Sequence, residues 1–288
     1  MDKNDDNRIK SWGKDVKVHT NVVIQNESLI LNEIISIWNT YPVDEWVFYD
    51  DNSTDDTPDI LRSKLDAKVT ILNDRLPEHN ETHCRSRILE YSRESGADFI
   101  VSIDADELLS ANMVEHFETV LQYNSQHNIR YYWYNLVEGS GYIRQDPMYL
   151  NNYKAFIMPV KHTQTYKGHH MMVHTPRTPP ISLPITQTKE FGLIHLQAIN
   201  RKFYALKQLR YKHYEHHVLG QPIKALNEKY DPVVNNLDFR KVPIPPHIIG
   251  NITFDPTVFD DMLKLKGYKD YVLKHYVKDL VTFGEEYL

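Results

Sequence analysis

Residues 99–107 read Phe99-Ile-Val-Ser-Ile-Asp104-Ala-Asp106-Glu107, and the fold is decided by how they are read. Phe99 to Ile103 carry no charge and are mostly β-formers, the composition of a strand buried on both faces. Three carboxylates then arrive within four positions. In an open α/β sheet the carboxyl end of a buried strand is where ligands bind. Asp104 and Asp106 lie two apart, so extended geometry would turn both to one side. Two hard oxygen donors on one side suit Mg²⁺ or Mn²⁺, and such an ion suits a diphosphate. The same spacing also fits a polar strand end with Glu107 opening a turn, so the surrounding chain has to decide.

Upstream, strands and helices alternate. Val16–Ile24 is rich in β-formers and ends in Gln25-Asn-Glu-Ser28, with Ser28 placed to cap a helix over Leu29–Asn39. Pro42 breaks that pattern. Trp46–Tyr49 is a second strand, followed by Asp50-Asp-Asn-Ser-Thr-Asp-Asp-Thr-Pro58, which is turn chemistry with Thr57 as N-cap and Pro58 opening a helix to about Leu65. Lys68–Leu72 is a third strand, and Thr82–Ser95 a helix closed by Gly96. The rhythm predicts an α/β fold with a mostly parallel central sheet flanked by helices and right-handed crossovers.

After residue 110 the rhythm changes. The spacing predicts a helix over Met113–Tyr123, strands over Arg130–Val137 and Lys154–Met158, a long loop over 159–190 rich in proline and histidine, a strand over Phe191–Leu196 and a helix over Arg201–Val218. Residues 222–246 read as irregular, and Thr257–Leu280 as helical in two pieces around Gly267. Four segments follow: a loose tail 1–15, a ligand-binding half 16–110, a second half 111–220 of the same domain, and a helical extension 221–288.

The 288 residues are 41% hydrophobic and 25% charged, enough for a sizeable core. A net charge of −6 argues against a nucleic-acid binder working through a broad basic surface. A single cysteine, Cys84, excludes an intramolecular disulfide and fits a reducing compartment. The first 15 residues lack the apolar run of a signal peptide, and no apolar stretch is long enough to span a bilayer. The expectation is a soluble, cytoplasmic protein, with peripheral membrane association and oligomeric state left open.

Three strand ends carry acids or amides: Gln25-Asn26-Glu27, Asp50-Asp51-Asn52 and Asp104-Ala105-Asp106. No Gly-x-Gly-x-x-Gly follows the first strand and no Gly-x-x-x-x-Gly-Lys-Ser/Thr occurs, which disfavours dinucleotide dehydrogenases and P-loop phosphotransferases. In order and spacing, Val23-Ile-Gln-Asn-Glu27, Val47-Phe-Tyr-Asp-Asp-Asn-Ser-Thr-Asp-Asp56, Arg87 and the strand ending in Asp104-Ala-Asp106-Glu107 resemble the nucleotide-sugar glycosyltransferases of the GT-A fold, of the broad family 2 type. The resemblance covers residues 18–110 well and is weaker beyond.

That resemblance implies a metal-dependent, hexosyltransferase-type enzyme. It would move a sugar from a nucleoside-diphosphate donor, a UDP-sugar foremost, to a glycan or other hydroxyl acceptor, with inversion foremost and retention staying open. It places Gln25, Asn26, Glu27, Asp51, Arg87, Asp104 and Ala105 around the nucleotide sugar, with Asp51 on the base. It places Asp104 and Asp106 on Mn²⁺ or Mg²⁺, with His195 as the late histidine that the larger family often adds to the metal shell. His162, His169, His170 and His174 compete for that role, and a structural histidine fits His195 as well. His213 and His217, four apart on a helix, read better as a polar face than as a zinc pair. The acidic residue that would take the acceptor's proton has no clear copy; Glu190, Asp146 and Glu138 are the candidates. Two other classes stay open: a sugar-phosphate nucleotidyltransferase, which would want a Gly-rich phosphate loop after the first strand, and a non-catalytic sugar-nucleotide binding module, which would lack the metal pair.

Overall fold

A computed structural model of the chain describes residues 16–137, 141–145, 150–166, 175–196, 198–235, 240–253, 255 and 257–275. In chain order the elements are β1 (Val18–Ile24), α1 (Ser28–Trp38), β2 (Glu45–Asp50), α2 (Thr57–Lys64), β3 (Lys68–Leu72), α3 (Glu81–Glu94), β4 (Phe99–Asp104) and β5 (Glu107–Leu109). There follow α4 (Ala111–Glu115), α5 (Phe117–Asn124), β6 (Asn128–Val137), β7 (Tyr142–Arg144), β8 (Tyr153–Lys154), β9 (Ile157–Pro159) and β10 (Ile185–His195). The last are α6 (Arg201–His217), α7 (Ile223–Asn235), β11 (Lys241–Pro243), α8 (Pro246–Ile249), α9 (Val258–Lys266) and α10 (Tyr268–Lys274).

The chain divides into two compact units. The first comprises residues 1–133, 153–193 and 246–251, and the second 134–152, 194–245 and 252–288. The division falls within β6 and within β10.

The first unit is built on a sheet of order β3-β2-β1-β4-β9. β1 pairs in parallel with β2 and β4, and β2 with β3, as the alternation of strands and helices predicts. β9 closes the edge antiparallel to β4, with Phe99 opposite Pro159 and Val101 opposite Ile157. β2 shows why both faces are covered. Its alternate residues Trp46 and Phe48 stack on Trp38 of α1, at 4.6 and 6.3 Å between ring centroids. Val47 and Tyr49, pointing the other way, pack with Cys84 and Ile88 of α3. Each large side chain so buried contributes about 1.5–3 kcal/mol.

Three expectations shift in detail. Ser28 and Thr57 are the first residues of their helices, with Glu27 and Asp56 at the cap positions. The predicted helix over Met113–Tyr123 is two helices, α4 and α5, meeting at His116. The strand that returns at the end of the loop begins at Ile185, six residues before Phe191.

In the second unit β7 pairs antiparallel with β11 and with the end of β6. Tyr204, Ala205 and Leu209 of α6, Leu226 and Tyr230 of α7 and Val272 of α10 form its apolar core. α7 corrects the reading of residues 222–246 as irregular. Pro232 lies inside the helix, and the burial of Leu226 and Tyr230 outweighs its local cost. Gly267, with φ 60°, separates α9 from α10 as expected.

Candidate active site

At the carboxyl end of the sheet, β1 and β2 each run into an asparagine in the left-handed region: Asn26 at φ 53° and Asn52 at φ 59°. The two turns hold each other. Asn26 Oδ1 accepts from Thr54 N at 2.7 Å, Ser53 Oγ accepts from Asn26 N at 2.9 Å, and Thr57 Oγ1 accepts from Glu27 N at 2.7 Å. Asp55 takes Ser28 N at 3.1 Å; burial raises its pKa, but hydrogen bonds from Thr57 and Ser28 outweigh this and leave the pKa lowered.

Asp51 sits between these turns, 3% exposed. Gln25 Nε2 donates to its carbonyl at 2.9 Å, and its Oδ2 shares a 2.6 Å hydrogen bond with His79 Nδ1. Asp51, His79 and Cys84 bring three potential metal-ligand atoms within 4.8 Å of one another. Burial, with the charge of Asp51, pushes the Cys84 thiol up to about 12, so it keeps its proton at neutral pH and is a poor ligand as it stands.

The acidic edge lies at the end of β4. The strand stops at Asp104, and Ala105 and Asp106 form a turn that Glu107 closes by accepting from Asp104 N at 2.9 Å. The proximity of Asp104 and Asp106 thus comes from a turn, not from strand alternation. Two guanidiniums meet Asp104. Arg85 Nη2, on α3, bonds Oδ1 at 2.8 Å and Glu81 Oε1 at 2.7 Å. Arg177 Nη2 bonds Oδ2 at 2.6 Å and also bonds Glu107, which is fully buried and takes Trp133 Nε1 at 2.7 Å. Burial alone would raise the Asp104 pKa; the charges of Arg177 and Arg85 overcome it and, against the opposing charge of Asp106, hold it at about 2. Burial and the charge of Arg177 lower the pKa of Lys154, whose ammonium lies over the Trp133 ring. Among the described residues, Glu81, Asp104, Asp106 and Glu107 bring four carboxylates to this edge, with the guanidiniums of Arg85 and Arg177 and the ammonium of Lys154 beside them. This set of hard oxygen donors fits a divalent cation.

Arg87 does not support the acidic edge: half-buried on α3, it bonds Asp74 at 3.1 Å and Glu90 at 3.2 Å. That position is taken by Arg85, one helical half-turn back. Glu190 lines a cavity of about 290 Å³ with Tyr123, His127, Tyr131 and Thr188, which none of the acidic-edge residues lines. His195 belongs to the second unit, is buried, and shares a 2.7 Å hydrogen bond with Asn135. Asp146, Glu138, His169, His170 and His174 lie outside the described residues. Four residues escaped sequence reading. Trp133 and Arg177 meet Glu107 from 26 and 70 residues away, a separation that leaves no local pattern. His79 falls between the strand expected over Lys68–Leu72 and the helix expected over Thr82–Ser95, and Arg85 differs from Arg87 only in the α3 face that it presents to β4.

The family model for glycosyl transferase family 2 matches residues 22–175. No curated protein sequence matches the chain significantly. Among solved structures, S. aureus TarS superposes with a TM-score of 0.45 at 13% identity, over 74% of this chain and 42% of the TarS chain. TarS 1-349 in complex with UDP-GlcNAc superposes with a TM-score of 0.38 at 13% identity, over 76% and 72% of the two chains. Glucosyl-3-phosphoglycerate synthase from Mycobacterium tuberculosis, in complex with Mn²⁺, UDP-glucose and phosphoglyceric acid, gives 0.31 and 19%, over 41% of this chain and 44% of that one. The chain thus spans less than half the length of the first and third of these structures.

Proposed function

The chain belongs to glycosyltransferase family 2, and from that premise we propose that it transfers a sugar from a nucleoside diphosphate, UDP foremost, to a hydroxyl of a glycan or other acceptor, with Mn²⁺ or Mg²⁺ held by Asp104 and Asp106. The observation that carries the reading is the acidic edge itself. It gathers Asp104, Asp106 and Glu107 at the carboxyl end of the central strand, beside the turns that present Asp51. A bound divalent ion would supply charge neutralisation for the departing diphosphate.

The chain's own residues divide the remaining work. Asp51, with Gln25 and Asn26 shaping its turn, accepts a hydrogen bond from the base. Arg85 fixes Asp104 from the α3 side and keeps its carboxylate ionised. An inverting transfer also needs a carboxylate to take the acceptor's proton. Among the described residues Glu190 is the candidate, and a large loss of turnover with unchanged donor affinity in Glu190→Gln would support it. His195 enters only as the histidine that the family often supplies to the metal. Its test is whether His195→Ala weakens Mn²⁺-dependent donor binding more than metal-free nucleotide binding.

The decisive experiment is on the metal pair. Asp106→Ala should abolish transfer while leaving the thermal midpoint near that of the wild type. Wild-type activity should vanish in excess chelator and return with Mn²⁺ or Mg²⁺. In a thermal-shift screen, UDP and its sugars should raise the midpoint more with Mn²⁺ than without, by mass action. Undiminished transfer in excess chelator would overturn the metal's role.

A further inference from the structure

The acidic edge already holds a cation of the protein's own. Arg177 Nη2 lies 2.6 Å from Asp104 Oδ2, and its Nε lies 3.0 Å from Glu107 Oε2. Its guanidinium stands over the Trp133 ring at 5.4 Å, and that indole donates to the same Glu107. The segment is pinned on both sides. Thr175 N donates to Glu81 Oε2 at 3.0 Å, Thr175 and Thr82 share a 2.8 Å hydroxyl contact, and Tyr166 OH donates to the Arg177 carbonyl at 2.8 Å. Arg177 is only 11% exposed on its side chain, although it sits in a stretch without regular secondary structure. Arg85 differs: it is rooted in α3 and meets the other oxygen, Oδ1.

We propose that Arg177 is the built-in counter-cation of the acidic edge and occupies, on Asp104 Oδ2, the seat that a divalent ion takes when a nucleoside diphosphate arrives. This rests on the metal reading above. A carboxylate oxygen in a 2.6 Å charge-assisted bond cannot also take an ion at about 2.1 Å without setting two cations side by side. Ion and guanidinium therefore exclude each other on that oxygen. Glu107 gives Arg177 a second anchor, so the exchange is a short withdrawal in which Arg177 keeps Glu107 and releases Asp104. The ion alone pays for that displacement, whereas an ion arriving with a diphosphate brings negative charge to offset it. The free protein then binds Mn²⁺ weakly, and binds Mn²⁺ and the nucleotide together.

The test is Mn²⁺ binding to the full-length chain, read as loss of the free-ion paramagnetic resonance signal, without nucleotide and then with UDP. Removing one positive charge at contact distance should tighten nucleotide-free Mn²⁺ binding about tenfold or more in Arg177→Gln. Arg177→Lys, which keeps the charge, should stay near the wild type. Equal Mn²⁺ affinity in wild type and Arg177→Gln, with UDP still promoting uptake in both, would overturn the exchange and leave the metal reading intact. No Mn²⁺ uptake by either protein, with or without UDP, would overturn both. Should Arg177→Gln fail to fold, the wild type supplies the readout: Mg²⁺ with UDP should change the indole emission assigned to Trp133 by a Trp133→Phe control, and UDP alone should not. An unchanged Trp133 signal in the presence of bound Mg²⁺ and UDP would equally sink the proposal.

Discussion

Asp51 is a buried carboxylate whose two nearest side-chain partners, His79 and Gln25, both come from loops beside strand ends. Such a group is expensive to bury and is retained where a ligand or network satisfies it. Asp51→Asn keeps the shape and one acceptor oxygen but removes the charge. UDP affinity should fall by roughly ten- to a hundredfold, the scale of one charge-assisted hydrogen bond of about 1.5–3 kcal/mol. Calorimetric titration with UDP checks it, and an unchanged dissociation constant would detach Asp51 from the base. The acids of this edge were legible because a buried strand ending in carboxylates is a local pattern. Their compensating arginines were not. Arg177 reaches Asp104 across 73 residues and Arg85 across 19, and nothing in one dimension distinguishes Arg85 from Arg87 except the helix face each presents.

At the scale of elements, β1, β2, β3 and β4 could be read from their runs of β-formers, and the parallel order followed from the helices between them. β9 falls within the single strand expected over Lys154–Met158, which the structure divides into β8 and β9, but three residues carry too little pattern to be assigned the antiparallel partner β4. α7 was hidden by Pro232, which reads as a breaker yet sits near the helix's last turn, where one lost hydrogen bond is tolerated. The end of α8 shows the opposite case, a residue that the element cannot replace. Gly250 has φ 55°, and a Cβ added there would stand 2.6 Å from the Ala111 Cβ at the start of α4. Gly250→Ala should therefore destabilise the protein by about 1–3 kcal/mol, through left-handed backbone strain and overpacking together. Gly250→Ala in an Ala111→Gly background relieves only the contact, so its urea midpoint should recover in part. A midpoint equal to the wild type in the single variant would show that the α4–α8 contact yields freely.

For the whole chain the informative property is pH, because each unit buries a histidine. His19 lies in β1, 3.6 Å from Glu45, and His213 in α6, against the His275 backbone; both are fully buried. Burial lowers both from 6.5 to about 4, with Glu45 opposing the shift at His19 and His275 opposing it at His213. The unfolded chain therefore binds these two protons at a higher pH than the folded one. Between pH 6.5 and about 4 the unfolded state carries the extra protons, so stability rises with pH across that window and falls on acidification. Above 6.5 neither state is protonated and the contribution is complete; below about 4 the loss levels off. Each histidine should contribute roughly 2–3 kcal/mol to this change. Asp104 acts lower: held at about 2, its contribution is lost only as pH falls from the ordinary carboxylate range toward 2. Acid unfolding should thus come in two steps of different origin. Urea denaturation at pH 7, 5.5 and 4 measures the first. The wild-type midpoint should drop steadily across that series, and a protein with His19→Gln and His213→Gln should lose most of the slope even though its stability at pH 7 is lower. Identical slopes in the two proteins would assign the acid sensitivity to groups other than these histidines.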